Sequence, residues 1–309
     1  MRVTRWGILS TANINRFVIA GARAANVEVV AVASRDQRRA DAYAREYDIP
    51  RAHGSYDALL ADAGVDAVYI SLPNSLHHEW TMRALEAGKH VLCEKPYSRR
   101  AADVEEAFDL AKRRGLVLSE AFMWRHNPQT RRLLELVPEI GELQTIRATF
   151  GFRLTREHDV RLRPELDGGS LMDVGCYCVS ATRLLGGEPE RVQGEQVLGP
   201  SGVDVRFTGI LRFANDVLAE FTSSFTHEHS GLEATGSHGK IVVPDPWHAR
   251  PPLIIVNGRE ETLQREDSYK LQMANVSAAI NAEAPLLLGR ADALGQAKTI
   301  EGLYASAGV

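Results

Sequence analysis

Cysteine is scarce in this sequence. Cys93, Cys176 and Cys178 are the only three in 309 residues. So small an odd number argues against a disulfide framework and fits the reducing conditions of the cytoplasm. Cys176 and Cys178 have C-x-C spacing, but no further cysteine or histidine cluster completes a tetrahedral set, so no metal site is expected. No apolar run is longer than a strand, and no membrane-spanning helix is expected. The chain opens directly on a strand pattern, without the apolar segment and small-residue cleavage site of a secretory signal, so secretion is not expected. Lysine and arginine form no block. With a net charge of -4, nothing here tracks a phosphate backbone, which counts against nucleic-acid binding. Internal repeats and low-complexity segments are missing too.

What remains is a globular composition, 44% hydrophobic and 25% charged, in a chain long enough for two domains. Up to about residue 122, short β-rich runs alternate with helical stretches. The strand candidates are Thr4–Ser10, Val27–Ser34, Ala67–Leu72, His90–Glu94 and Leu116–Ala121. Helical patterns lie between them at Gln37–Tyr47, Tyr56–Ala63, Leu76–Ala87 and Ala101–Arg114, and Gly88 and Gly115 sit where helix C-caps belong. Apolar strands separated by helices predict an α/β fold with a doubly wound parallel sheet of the Rossmann kind. After Phe122 the pattern changes. A short helix (Gln129–Leu136) precedes β patterns at Leu143–Phe152, Val203–Phe213 and Val217–Thr226, interrupted by a helix at Ser170–Leu185. Strands without helices between them predict an open, mostly antiparallel sheet in a second α/β domain. Two further helices, near Leu271–Asn281 and Ala291–Ala305, are expected to pack on that sheet or back on the first domain. The expected boundaries are 1–122 for the dinucleotide domain and 123–309 for the substrate and oligomerisation domain.

The first strand-to-helix turn occupies the place where a dinucleotide pyrophosphate meets a helix N-terminus. Its glycines are missing as well: G-x-G-x-x-G has become Ser10-Thr11-Ala12-Asn13-Ile14-Asn15, in which small residues still leave room for backbone N–H groups to face a phosphate. The second strand ends in Ser34-Arg35-Asp36, with Arg38 and Arg39 one turn on. A hydroxyl and guanidinium groups suit a ribose 2′-phosphate, and so NADP(H). Asp36 keeps the competing reading open, since a carboxylate there would serve the 2′-hydroxyl of NAD(H).

Four further motifs stand in order along the chain: Leu72-Pro73-Asn74-x-x-His77, Cys93-Glu94-Lys95-Pro96, Phe122-Met-Trp124-Arg125-x-x-Pro128, and Gly168-Gly169-Ser-Leu-Met-Asp173-Val-Gly175-Cys-Tyr177. With the altered glycine turn, the set resembles the Gfo/Idh/MocA oxidoreductase family over nearly the whole chain. The resemblance implies a nicotinamide cofactor and sugar, inositol or related alcohol and carbonyl substrates. Lys95 matches the family's catalytic or substrate-orienting lysine. Asp173 and Tyr177 match its D-x-G-x-H motif, with tyrosine in place of histidine. That departure, with the stretch Arg161–Asp173, is most similar to the subgroup holding glucose–fructose oxidoreductase, dihydrodiol dehydrogenase and NADP-dependent xylose dehydrogenase. The function expected is thus hydride transfer between NADP(H) and a sugar, polyol or vicinal diol, by a homodimer or homotetramer joined through the second sheet. Alternatives are a nucleotide-binding sensor without catalysis, or family chemistry of another kind such as an NAD-dependent glycosidase.

Hydride transfer from an alcohol needs a base for the hydroxyl proton and a group that stabilises oxyanion charge. Tyr177 is four residues after Asp173, which on a helix places both on one face. Tyr177 is the candidate proton acceptor or donor. Lys95 would hold the substrate oxygen and draw the phenol down from its usual ~10. Asp173 would orient a sugar hydroxyl or cap a helix. His77 is expected beside the nicotinamide or at a helix cap, with Leu72, Pro73, Asn74 and Glu94 along the same crevice. Arg125 and Arg161 are candidate substrate-side cations, or else exposed ion-pair partners, and Trp124 is a candidate pocket wall. Pro96 is expected to follow a cis bond, as the resemblance implies. The loops at 153–165 and 225–232 would set specificity.

Overall fold

The strands of the first region are runs of small and branched apolar residues buried on both faces, the signature of strands with helices above and below them. In the computed structural model, which describes residues 3–309, they are β1 (Arg5–Leu9), β2 (Glu28–Ala33), β3 (Arg51–His53), β4 (Ala67–Ile70), β5 (His90–Glu94) and β6 (Leu118–Ala121). They pair in parallel throughout, in the order β3-β2-β1-β4-β5-β6. This is the doubly wound order, with its switch point between β1 and β4. Helices α1 (Asn15–Ala24), α2 (Gln37–Glu46), α3 (Tyr56–Leu60), α4 (His77–Glu86) and α5 (Ala101–Arg114) provide the crossovers. β3 is an addition to the expected strands. It has three residues, two of them polar and all half-buried, so it carries no apolar run to read.

The chain divides into two compact units. The first takes in the chain through Ser98, Ala102–Met123 and also Asp267–Leu294. That last segment brings α8 (Ser268–Ile280) onto α1. Gly21 permits the approach, because a Cβ there would lie 2.7 Å from the backbone of Tyr269 and Lys270. Trp6, fully buried on β1, donates its indole N–H to Ser277 of α8 at 3.1 Å.

The second unit comprises Arg99–Ala101, Trp124–Glu266 and Gly295–Val309. Its sheet has eight strands: β7 (Leu143–Gly151), β8 (Arg191–Leu198), β9 (Asp204–Arg212), β10 (Leu218–Ser224), β11 (His229–Gly236), β12 (Gly239–Val243), β13 (Leu253–Val256) and β14 (Arg259–Thr262). Their order is β14-β13-β12-β11-β7-β10-β9-β8, antiparallel except for the central β7–β10 pair. Helix α7 (Cys176–Gly186) packs on β7 and β10. The chain also holds α6 (Pro128–Leu136) and α9 (Arg290–Ser306). Among the described residues no helix is long and apolar enough to cross a membrane.

Candidate active site

Four chain segments leave the carboxyl edge of the parallel sheet at β1, β2, β4 and β5, where open α/β sheets bind ligands. Ser10 follows β1 with a φ of 145°, a conformation that glycine adopts freely and other residues at a cost of roughly 1–3 kcal/mol. Its hydroxyl is 2.8 Å from that of Ser71, just past β4, and accepts the N–H of Ala12 at 3.1 Å. Thr11, Ala12, Asn13 and Ile14 then lead into α1, whose N-terminus has no side-chain cap. Uncapped first-turn N–H groups and the helix dipole suit a phosphate.

Beyond β2, Asp36 is spent as the N-cap of α2, accepting the N–H of Arg39 at 2.8 Å. It also donates its own N–H to the hydroxyl of Ser34, 3.4 Å away, and Ser34 is buried. Arg35 and Arg39 are both exposed. Burial raises the phenol of Tyr56 above its usual range, while the charges of these two guanidiniums pull it back. A committed carboxylate and two free-standing cations fit a 2′-phosphate better than a 2′-hydroxyl.

Leu72 and Pro73 follow β4, and Asn74 opens a turn of 3-10 helix. His77 is placed differently from expectation. It is fully buried, with Nε2 2.8 Å from the carbonyl of Leu72 and Nδ1 2.9 Å from that of Pro96. Burial lowers its pKa. Both ring nitrogens lie within hydrogen-bond distance of backbone carbonyls, of which a neutral ring donates to one, so the ring ties together the segments after β4 and β5. Glu94 likewise works within the protein, accepting from the buried hydroxyl of Tyr69 and, at 3.2 Å, from the N–H of Lys95. Burial, then the carboxylate of Glu94, drives the phenol of Tyr69 well up, so it remains a neutral donor. Lys95 is half-buried, and the Lys95–Pro96 bond is cis.

In the second unit Leu171–Gly175 forms a π-helical turn that runs into α7. Wide turns of this kind occur often at functional sites. From Gly169 to Arg183 every residue is buried except Asp173 and Tyr177, which are half-buried; the last residues of the helix, Leu184, Leu185 and Gly186, are half-buried too. Gly175, between them, lets the turn close on β10, since a Cβ would lie 2.9 Å from the hydroxyl of Ser223. The ring of Tyr177 meets Phe150 edge-on at 5.3 Å and Trp247 at 5.8 Å. Trp247, which sequence reasoning missed, is buried, stacks on Phe150 and donates to the carbonyl of Thr149 at 3.0 Å. Trp124 is corrected here: it is fully buried behind Trp247, ring centroids 5.5 Å apart, and lines no open surface.

Arg161 takes up the ion-pair reading. Its Nε donates to Asp173 at 2.6 Å and its other nitrogen to Asp159 at 3.2 Å, and Asp173 holds the guanidinium protonated far above the usual range. It steadies Asp173 and is not a free cation. Arg125 reaches Ser180 of α7 at 3.5 Å. Two residues with no local signal hold the start of this helix. Asp204, at 2% exposure, accepts from the hydroxyl of Ser170 and the N–H of Leu171, each at 2.8 Å, and from the hydroxyl of Tyr304 at 3.0 Å. Gly169 makes room, because a Cβ there would lie 2.2 Å from Asp204.

Comparison with known proteins bears on the fold and the family. Residues 4–122 match the family model of the GFO/IDH/MocA oxidoreductases with an NAD-binding Rossmann fold, and residues 131–242 match the GFO/IDH/MocA C-terminal domain. A D-xylose 1-dehydrogenase (NADP(+)) of Haloferax volcanii is 40% identical, over 98% of this chain and 97% of its own. A trans-1,2-dihydrobenzene-1,2-diol dehydrogenase of Xenopus tropicalis is 36% identical over 83% of this chain and 80% of its own. Among solved structures, a 3-ketoreductase of Actinomadura kijaniata in complex with NADP and TDP-benzene superposes with a TM-score of 0.93. It is 29% identical, with 99% of this chain and 98% of the other covered.

Proposed function

This chain belongs to the Gfo/Idh/MocA oxidoreductase family, and from that premise we propose that it is an NADP(H)-dependent enzyme exchanging a hydride with a sugar, polyol or vicinal-diol carbon. The observation that carries the reading is the pair Asp173 and Tyr177, the two half-buried residues in the otherwise buried stretch Gly169–Arg183. The names of the relatives set the substrate class, since the xylose and dihydrodiol dehydrogenases both act on carbons bearing hydroxyls.

The nicotinamide, when bound, supplies or accepts the hydride. Arg35 and Arg39 would hold the ribose 2′-phosphate and the Thr11–Ile14 backbone the pyrophosphate, with Leu72, Pro73 and Asn74 along the same crevice. In the oxidative direction Tyr177 takes the proton of the substrate hydroxyl as the carbonyl forms, and in reduction it returns it. Lys95 serves as a cation that stabilises charge on the substrate oxygen. Asp173, steadied by Arg161, accepts hydrogen bonds from a neighbouring substrate hydroxyl.

Assembly belongs to the same reading. Val197, Ile210 and Leu218 on β8, β9 and β10 are 45%, 52% and 44% exposed. Apolar side chains on an open sheet face suit a second copy of the chain, so we assign a homodimer or homotetramer, working in the cytoplasm where the buried thiols of Cys93, Cys176 and Cys178 stay reduced. The test of the activity is a screen of aldoses, polyols and trans-diols with NADP+, followed by the absorbance of NADPH. Turnover on any of these supports the reading, and none on any of them contradicts it.

A further inference from the structure

The turn after β1 has no glycine, and each hydrogen in it can be assigned. Asn15 donates through Nδ2 to the carbonyl of Ser10 at 2.9 Å, so its Oδ1 faces the other way as an acceptor. The hydroxyl of Ser71 lies 2.6 Å from that Oδ1 and owns one proton, which it must donate there. Toward Ser10, 2.8 Å away, Ser71 can then only accept. Ser10 donates to it, sharing the proton with the carbonyl of Ser71 at 3.2 Å. The lone pairs of Ser10 take the N–H of Ala12. The chain therefore runs in one direction, from Ala12 through Ser10 and Ser71 to Asn15, and Asn15 closes it on the carbonyl of Ser10. Ser10, Ser71 and Asn15 are 7%, 6% and 0% exposed, so water does not compete, and bonds aligned in this way reinforce one another.

We propose that Ser71 and Asn15, acting through Ser10, are cofactor-positioning residues. Their chain holds the Thr11–Ile14 backbone in the conformation that glycines supply elsewhere, and it keeps Ser10 at its φ of 145°. The pyrophosphate is thus bound by a turn that side chains have set beforehand. The inference rests on the reading of this protein as an NADP(H) enzyme, and the test separates the two.

The test is a fluorescence titration of the intact protein and its variants with NADPH and NADH, and a competition titration with 2′-AMP, which carries the ribose phosphate but no pyrophosphate. Ser71→Ala and Asn15→Ala are expected to weaken NADPH and NADH alike, each by about tenfold, the worth of roughly one buried hydrogen bond. Affinity for 2′-AMP stays unchanged, because Arg35 and Arg39 are untouched. At position 10, glycine takes the φ without help, so Ser10→Gly keeps NADPH affinity within about threefold while Ser10→Ala loses about tenfold or more. If a variant at position 15 or 71 does not fold, this second pair decides. Unchanged NADPH affinity in Ser71→Ala and Asn15→Ala, an equal loss of 2′-AMP, or equal losses in Ser10→Gly and Ser10→Ala would overturn the inference alone. Wild-type protein that binds neither dinucleotide would overturn the NADP(H) reading with it.

Discussion

The two units hold their candidate residues by opposite means. In the first, the residues lie on the segments that leave neighbouring strands, and each is fixed by partners at the same sheet edge: Asp36 caps its own helix, and Ser10 bonds Ser71 next door. In the second, the π-helical turn and the helix it runs into carry the two half-buried candidates and are clasped from afar. Asp204 holds their start, Tyr304 near the chain's end holds Asp204, and Arg161 on a loop holds Asp173. A site of the first kind is adjusted by substitutions within it. A site of the second kind is vulnerable to substitutions far from it in sequence.

The largest effect should fall where the second unit meets the substrate. Tyr177→Phe keeps the ring contacts and removes the proton, so kcat should fall by about 10²–10⁴ with the thermal midpoint unchanged. A kcat within a few-fold of wild type would remove Tyr177 from the chemistry. Next comes the clasp. Asp204→Ala strands three buried donors, and unfolding in urea should show a loss of about 3 kcal/mol together with reduced turnover. Turnover and stability both intact would show that the helix needs no clasp.

His126 gives a pH-dependent effect of similar or smaller size. Burial first, and Arg125 second, push its pKa down to about 4, and its Nε2 has no hydrogen-bond partner. Below the ordinary histidine value the unfolded chain takes up a proton that the folded chain refuses, so stability falls as the pH drops toward 4. Between pH 7 and pH 4.5 wild type should lose about 2–3 kcal/mol more than His126→Gln, measured in urea at both values. Equal losses would contradict the burial of a neutral ring. The smallest effect returns to the first unit. Asp36→Ala should cost about 1 kcal/mol as a lost N-cap while leaving the preference for NADPH as it was. A shift of preference toward NADPH would mean that Asp36 also serves the ribose.

The contrast also explains what could be read from the sequence. The parallel sheet was legible because its strands are apolar runs between helices; the π-helical turn that carries Asp173 into the helix of Tyr177 left no such mark. Only β3 escaped in the first sheet, having no apolar run. In the second sheet β8 and β11 to β14 escaped, though the turn Val256-Asn257-Gly258-Arg259 carried a readable hairpin signal, with Asn257 and Gly258 at φ of 51° and 82°. Asp204, Tyr304 and Trp247 had no signal at all, because what they do depends on contacts distant in the chain. The burial of Trp124 and the pairing of Arg161 were not legible, for the same reason. Proximity to a motif in sequence does not say whether an indole faces the pocket or the core, or whether a guanidinium is already paired.

The most direct test of the central claim is a fluorescence titration of the purified protein with NADPH and with NADH, repeated on Arg35→Ala. The account predicts micromolar or tighter NADPH binding in wild type. In the variant, NADPH should weaken by at least about tenfold, the worth of a charge-assisted bond to phosphate, and NADH should be unaffected. No binding of either nucleotide, or an Arg35→Ala variant that binds NADPH as wild type does, would contradict it.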